Sequence, residues 1–516
     1  MAQTIAPQEQ RKFPLWLISV TVILPTFFAM LATSATNVAL PHMGGAFGAT
    51  NDETKWVITS YMVSNAVFLP LTGWFESTLG RKNFLLIFLS LFGIGSVVCV
   101  FANSLNMLIL GRLIQGVGGG IMMPMCQSIL LQEFPKDRAG DAMALFSFAT
   151  MVSSIIGPTV GGLLVDNLSW PWIFIVNIPV TILSLLLIHF VLTDTPRNTG
   201  NKKVDVIGLG SLTLWLFSMQ VVLDKGQQYG WFDCTWICWL LGFSIFCAIF
   251  FVVWELENKN AMVDLTVFKN FNFSLGTVLA DIANLLVYAT IILLPQYLQG
   301  LMGYTASLSG LSLATRVLSA VICLTFVGSL AKIIDSRIVI IVGFLMMAAS
   351  GYMFSLISLQ TNFAYLFVPN FLFGAGMVLA FVPISGLALG SLPKAQISNA
   401  AGIHSLTKCV AASIFTSLAS SFAISLSEVH QFYLVGNMSK FNPMFLKHFN
   451  HYYGAFLHHF PNVVAAKKAN IVLYKQLMAQ SKLYAYVDIF QYLTLVTVLI
   501  SVLAIFLKVN KKKKNA

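Results

Sequence analysis

Charge is what this sequence has least of. Asp, Glu, Lys and Arg make up 9% of its 516 residues, against 57% apolar side chains and a mean hydropathy of +0.81. Soluble domains carry about a quarter charged residues, so this scarcity excludes a soluble multidomain protein. Acid is scarcer still, with 19 Asp and Glu against 30 Lys and Arg, for a net charge of +11. That balance raises nucleic acid as a partner, but no basic patch interleaved with aromatics accompanies it, and nucleic acid is excluded. The seven cysteines lie mostly in apolar runs, where a thiol behaves as a small hydrophobe. Cys234-x-x-x-Cys238 lacks a second ligand pair, so no metal and no cofactor is expected. The phosphate-cradling G-x-x-x-x-G-K-[ST] loop is missing, which excludes an ATP-driven pump in a single chain. Paired carboxylates and His/Asp clusters at a membrane face are missing too, and the chain reads as no enzyme. A cleavable signal peptide is not expected, because the first apolar run is too long and lacks an A-x-A-like exit.

What is present is apolar run after apolar run. Fourteen lie near 15–40, 56–75, 84–102, 106–131, 142–165, 172–192, 206–223, 235–254, 273–298, 306–330, 338–359, 363–391, 398–426 and 486–507. Each is long enough to cross about 30 Å of hydrocarbon, which predicts an all-α polytopic membrane protein. Lys and Arg set the orientation. With the N-terminus cytoplasmic, the inside segments hold Arg11, Lys12, Arg81, Lys82, Lys136, Arg138, Arg197, Lys202, Lys203, Lys259, Lys269, Lys332, Arg337, Lys394, Lys508 and Lys511–Lys514. Only Lys55 and Lys225 fall in the short outside loops. Both termini are therefore expected in the cytoplasm, with the basic tail against anionic lipid. The one long polar insert, 427–482, falls outside and carries His430, His448, His451, His458 and His459. It is expected to be a solvated, partly helical loop, with a docking surface or a His448-x-x-His451 metal site as rival readings.

Four charges lie deep inside the runs. Arg112 is about two turns inside the fourth, and a guanidinium there is a functional-site hypothesis by default. Its partner cannot be named from sequence. Asp281 is the only acid deep inside a run. By helical rise it lies about 13 Å from the cytoplasmic side, with Arg316 and Lys408 each about 15 Å deep from their own ends. One carboxylate and two cations at one level predict a buried charge cluster. A carboxylate alternating between a cation and a proton is what a proton-coupled carrier needs, and a static structural pair is the competing reading. In the fifth run, Pro158 removes a backbone bond, while Gly157-x-x-x-Gly161 lets a neighbouring helix approach closely.

These features together resemble the major facilitator superfamily, specifically its fourteen-span drug:proton antiporters, and most closely the Emr-type multidrug exporters. Arg112-x-x-Gln115-Gly116-x-Gly118 is similar to the proton-coupling motif, and Gly157-Pro158-x-x-Gly161-Gly162 to the antiporter motif. Gly73 through Gly80-Arg81-Lys82 resembles the loop after the second span, and Ser169-Trp170-Pro171-Trp172-Ile173-Phe174-x-x-Asn177-x-Pro179 resembles W-R-W-I-F-x-x-N-x-P. Asn37-Val38-Ala39-Leu40-Pro41, Leu223-Asp224-Lys225-Gly226-Gln227 and Leu294-Pro295-Gln296-Tyr297-Leu298-Gln299 extend the likeness along the chain.

The resemblance implies a major facilitator fold of 14 transmembrane helices, two six-helix bundles plus an inserted hairpin. The expected divisions are 1–14 (cytoplasmic segment), 15–193 (first bundle), 194–255 (linker and hairpin), 256–508 (second bundle, with loop 427–482) and 509–516 (basic tail). It implies alternating-access export of small molecules driven by protons, in a bacterial inner membrane. It also implies a periplasmic adaptor and an outer-membrane channel as partners, and Phe441-Asn442-Pro443 echoes the family's outside insert. Gating is expected at Gly73, Gly80, Arg81, Gln115, Gly116, Gly157, Pro158, Gly161 and Gly162, and proton coupling at Arg112, Asp281, Arg316 and Lys408; no substrate-binding residue is assigned. The departures are informative. The family's first-span L-D-x-T reads Leu31-Ala32-Thr33-Ser34, the loop aspartate is Ser77, Arg316 interrupts a proline–glycine pattern, and Lys408-Cys409 replace Arg-Asn. Asp281 is therefore expected to titrate, restrained by Arg316 or Lys408. A narrower substrate, an anionic metabolite or siderophore, is the alternative, and a proton-coupled importer is the other.

Overall fold

The computed structural model describes residues 13–135, 138–193, 205–258, 263–304, 306–393, 396–439 and 441–508. Arg11, Lys12, Lys136, Arg197, Lys202, Lys203, Lys259, Lys394, Thr305, Lys440 and Lys511–Lys514 lie outside them, as do the segments 1–12 and 509–516. Hydrocarbon offers no partner to a backbone N–H or C=O, so a spanning segment must satisfy its own as helix or closed barrel. All fourteen apolar runs lie on helical structure, and no strand occurs among the described residues.

In chain order the helices are α1 (Leu15–Phe47), α2 (Asn51–Thr54), α3 (Trp56–Phe68), α4 (Thr72–Leu79), α5 (Arg81–Val100), α6 (Leu105–Gly120), α7 (Met122–Glu133) and α8 (Ala139–Asn167). Next come α9 (Trp172–Ile175), α10 (Asn177–Val191), α11 (Val206–Lys225), α12 (Thr235–Glu257), α13 (Phe271–Pro295) and α14 (Ala306–Ile333). The last are α15 (Ser336–Phe354), α16 (Phe367–Gly390), α17 (Ile397–Val435), α18 (Pro443–Leu457) and α19 (Asn462–Leu503). Among the described residues, 12 helices are long and apolar enough to cross a membrane. The second run falls short of that length because it divides into α3 and α4 around Pro70, which has no N–H to continue the ladder. The fourth divides at Ile121, between Gly118-Gly119-Gly120 and Pro124, and the sixth divides just ahead of Pro179. The fifth is α8, which continues through Pro158.

The insert 427–482, expected as a partly helical loop, is helical over most of its length. α17 runs 39 residues and α19 runs 42, so both rise well past a bilayer about 30 Å thick, and α18 packs on α19. Asn442 caps α18 by accepting from the Met444 N–H at 3.0 Å, with Pro443 in the first turn where its missing donor costs nothing. At the other end of the chain, Thr50 and Glu53 form a reciprocal cap. The Thr50 N–H donates to the Glu53 carboxylate at 2.8 Å, and the Glu53 N–H donates back to the Thr50 hydroxyl at 3.3 Å. That backbone bond, followed by the Thr50 hydroxyl, holds the Glu53 carboxyl below its ordinary range.

Packing gathers the helices into two sets. In one, α1 lies on α8 and α10, and α6 lies on α3 and α5; in the other, α16 lies on α14 and α15, and α17 lies on α13 and α19. The sets meet where α8 crosses α14 and α16, and where α17 crosses α4 and α7. Helices α11 and α12 pair with each other, and α11 reaches both α3 and α17. Outward-facing apolar residues such as Trp239, 77% exposed, and Phe246, 64% exposed, are the surface that lipid covers.

Candidate functional site

In the first set, Arg112 on α6 is wholly inaccessible yet meets no carboxylate. Its Nε–H donates to the Val57 carbonyl at 3.1 Å and its Nη1 to Gln115 Oε1 at 2.6 Å, while Gln115 in turn donates to the Ser96 hydroxyl at 2.8 Å. The guanidinium sits 4.2 Å from the Tyr61 ring centroid and 5.8 Å from that of Phe174. Buried cations are held by hydrogen-bond acceptors and aromatic faces when no anion is available, and here both are used. Arg112 and Gln115 meet because residues three apart share a helix face. Gly116 brings α6 onto α3, where a Cβ would lie 2.6 Å from the Tyr61 carbonyl oxygen.

In the second set the charges separate into two places. Lys408 on α17 is the cation that acts on Asp281 of α13, and Thr407 faces the same carboxyl. Asp281 Oδ1 is buried and meets no hydrogen-bond donor. Arg316 on α14 is engaged elsewhere, donating to Thr290 Oγ1 at 3.2 Å and Asn370 Oδ1 at 2.9 Å, with the Phe373 ring 4.1 Å away. Thr290 lies nine residues beyond Asp281 on α13, about 13 Å by helical rise. The sequence expectation of one level for all three charges treated side chains as points at their Cα depth. Asp281 and Lys408 remain half-buried, whereas Arg316 is 4% exposed. Asp281, Leu285, Tyr288 and Ile292 form a half-buried stripe along one face of α13.

Sequence reasoning passed over His404. It is wholly buried one turn before Lys408, its Nδ1 lies 3.2 Å from Thr277 Oγ1, and its Nε2 meets no partner. Thr277 in turn lies one turn before Asp281. The paired four-residue spacings, 277 with 281 and 404 with 408, were the signal that could have found it.

Of the gating residues, Gly73 lies where the two sets touch, and the others pack within the first set. Gly73 backs onto α17, where a Cβ would come 2.8 Å from that of Asn399, and Asn399 exchanges hydrogen bonds with the Asp264 backbone at 2.8 and 3.2 Å. Gly80 has φ +79°, open to glycine at little cost. It turns the chain into α5, whose first residue, Arg81, pairs with Glu133 at 3.0 Å and Glu76 at 3.4 Å and also donates to Gln132. Ser77 donates to the Trp74 carbonyl at 2.9 Å. Gly157 and Gly161 seat α8 on α1; at Gly161 a Cβ would lie 2.8 Å from the Ala35 Cα. Gly162 faces Val38 more loosely, at 3.9 Å, and Pro158 is exposed.

Comparison with known proteins agrees with this architecture. The chain is 33% identical over 437 residues to the multidrug export protein EmrB of Escherichia coli strain K12, covering 83% of this chain and 84% of that one. It is 30% identical over 404 residues to the fatty acid resistance protein FarB of Neisseria gonorrhoeae, covering 78% and 80%. The proton:xylose symporter XylE shares the fold at a TM-score of 0.59 and 12% identity, over 93% of this chain and 94% of that one. The family description Major Facilitator Superfamily matches residues 22–416, and the chain belongs to that family of multi-span membrane transporters.

Proposed function

We propose that this chain is a proton-coupled exporter of small lipophilic molecules, a transporter and not an enzyme, in which Asp281 carries the proton and Lys408 is its countercharge. The observation that carries the reading is the half-buried Asp281 carboxyl, with one oxygen unpartnered, opposite a single cation inside the membrane. Protonation frees Lys408 from its counterion; deprotonation restores the pair, so the two states favour different arrangements of α13 and α17. Two bundles, 15–193 and 256–508, rock about the α8–α14 and α4–α17 contacts, with Gly157 and Gly161 as the close crossing and Arg81 with Gly73 as the latch. The hairpin within 194–255 lies against α3 and α17 at one side of that division. The relative EmrB, a multidrug export protein, supports efflux over uptake. The distribution of Lys and Arg supports cytoplasmic termini in a bacterial inner membrane, with fourteen crossings. The raised ends of α17 and α19 with α18 then stand on the periplasmic side, where an adaptor protein and an outer-membrane channel would meet them.

A second reading favours lipophilic anions. Arg112 Nη2 and Arg316 Nε have no partner, and cations outnumber acids in the spans, as an anionic cargo would suit. The name of the relative FarB, a fatty acid resistance protein, points the same way. One experiment tests both. Proteoliposomes holding a pH gradient receive tetraphenylphosphonium or decanoate, with wild type compared to Asp281→Asn. Gradient collapse on probe addition, in excess of that in protein-free liposomes, is expected to vanish in the variant, and the probe that gives this excess identifies the charge class. Collapse that persists in the variant overturns the assignment to Asp281.

A further inference from the structure

The proposed transport cycle leaves one question of chemistry open: a proton on Asp281 must leave toward the side where α13 and α17 begin. Between Asp281 and that side stands His404. Its ring is fully buried, Thr277 holds its Nδ1 at 3.2 Å, and its Nε2 has no hydrogen-bond partner. A buried polar atom left unpaired costs free energy, and such a group asks for an explanation in proton traffic or an internal water. Lys408 lies one turn above His404 on α17, and Asp281 one turn above Thr277 on α13. The four side chains thus make two stacked rungs between the same two helices, Thr277 with His404 below and Asp281 with Lys408 above. The Phe273 ring, 6.4 Å from the imidazole, lies below the lower rung.

We propose that His404 is the proton-transfer group between Asp281 and the cytoplasm, an assignment that rests on the reading of Asp281 as carrier. With Nδ1–H donated to Thr277 Oγ1, the Nε2 lone pair is free to accept. The Asp281 O–H bond breaks as the Nε2–H bond forms, directly or through one water, leaving a carboxylate that pairs with Lys408 and an imidazolium that releases its proton to cytoplasmic water. Lys408 supplies the direction: its ammonium stabilises the carboxylate formed and repels the imidazolium, so the proton moves on. Among the described side chains, other acids on helices packed against α17 are turned elsewhere, Glu76 and Glu133 to Arg81, and Asp488 to His430 at the far end. An imidazole suits this position because one ring nitrogen can accept a proton while the other donates one.

The test compares His404→Gln and His404→Ala with wild type in the same proteoliposomes, using tetraphenylphosphonium and decanoate as probes. Two rates are read: probe-driven collapse of the pH gradient, and counterflow of labelled probe at equal pH, which needs no net proton transfer. In His404→Gln, collapse is expected to slow about tenfold or more while counterflow holds. In His404→Ala, added imidazole is expected to restore probe-driven collapse beyond what it causes in protein-free liposomes, an effect packing alone does not produce. Wild-type collapse in both variants across about pH 5.5 to 7.5, a unit either side of the ordinary imidazole value, overturns the relay. So does an equal fall in collapse and counterflow, which marks a packing residue. No collapse in wild type with either probe overturns the carrier reading itself, which is thereby distinguished from failure of the relay.

Discussion

The two halves hold a buried arginine in nearly the same way. Arg112 rests on Tyr61 and donates to the Gln115 amide oxygen; Arg316 rests on Phe373 and donates to the Asn370 amide oxygen. Each keeps one nitrogen without a partner, and neither has an acid. Only the second half adds a carboxylate, and it places that group by Lys408 rather than by its arginine. The comparison separates two tasks that a buried charge can perform. A guanidinium stays charged at any physiological pH, so neutral acceptors and aromatic faces hold it in one state. A carboxylate opposite a lysine has two states, because either group can change its proton count. The proposed coupling therefore falls in the second half, and a fixed positive charge in both.

The sharpest break of that comparison is at the pair. Lys408→Met leaves Asp281 without its countercharge inside the membrane, and it is expected to lower stability by about 3 kcal/mol, read as the melting midpoint in detergent. Adding Asp281→Asn should return most of that loss, while transport stays absent. A double variant no more stable than the single one would mean the two side chains act independently.

Next in size are the arginines. Arg112→Lys replaces a planar fork with a point charge that cannot reach the Val57 carbonyl and Gln115 together, costing about 1.5–3 kcal/mol in lost charged hydrogen bonds. Arg316→Lys should cost a similar amount, since Thr290 and Asn370 are also bridged by one fork. In both, proton coupling per molecule exported should be unchanged although the rate falls. An altered ratio in either would draw that arginine into the proton path.

Gly161→Leu adds bulk where Ala35 leaves none, and overpacking of this kind costs about 1–3 kcal/mol. Exchange between inward and outward access should slow, measurable as accessibility of single engineered cysteines to a membrane-impermeant reagent; unaltered accessibility would remove the α1–α8 crossing from the gate.

The smallest effect is expected at Glu53, outside the membrane. Its folded carboxyl titrates below its ordinary range, so its contribution is present above the unfolded value and is lost as pH falls through the folded one. Glu53→Gln should lower stability slightly at neutral pH, make its fall toward acid shallower, and leave transport alone.

Much of this was legible in the chain alone. Long apolar runs with few charges dictate helices in a bilayer, because hydrocarbon satisfies no backbone group. The breaks were not read from the runs: the proline singled out, Pro158, lies inside a continuous α8, whereas the helices divide around Pro70 and ahead of Pro124 and Pro179. The candidate charges could be picked out one by one, because each is costly in an apolar run and stands out from it. Their pairing could not. Depth along a helix fixes height but not azimuth, and an arginine side chain spans more than a helical turn. Only packing could send Arg316 up to Thr290 and Asn370, leave Asp281 to Lys408, and bring His404 onto Thr277 from 127 positions away in the chain. Composition decided that this protein lives in a membrane; the rotation of each helix about its own axis decided which charges meet there.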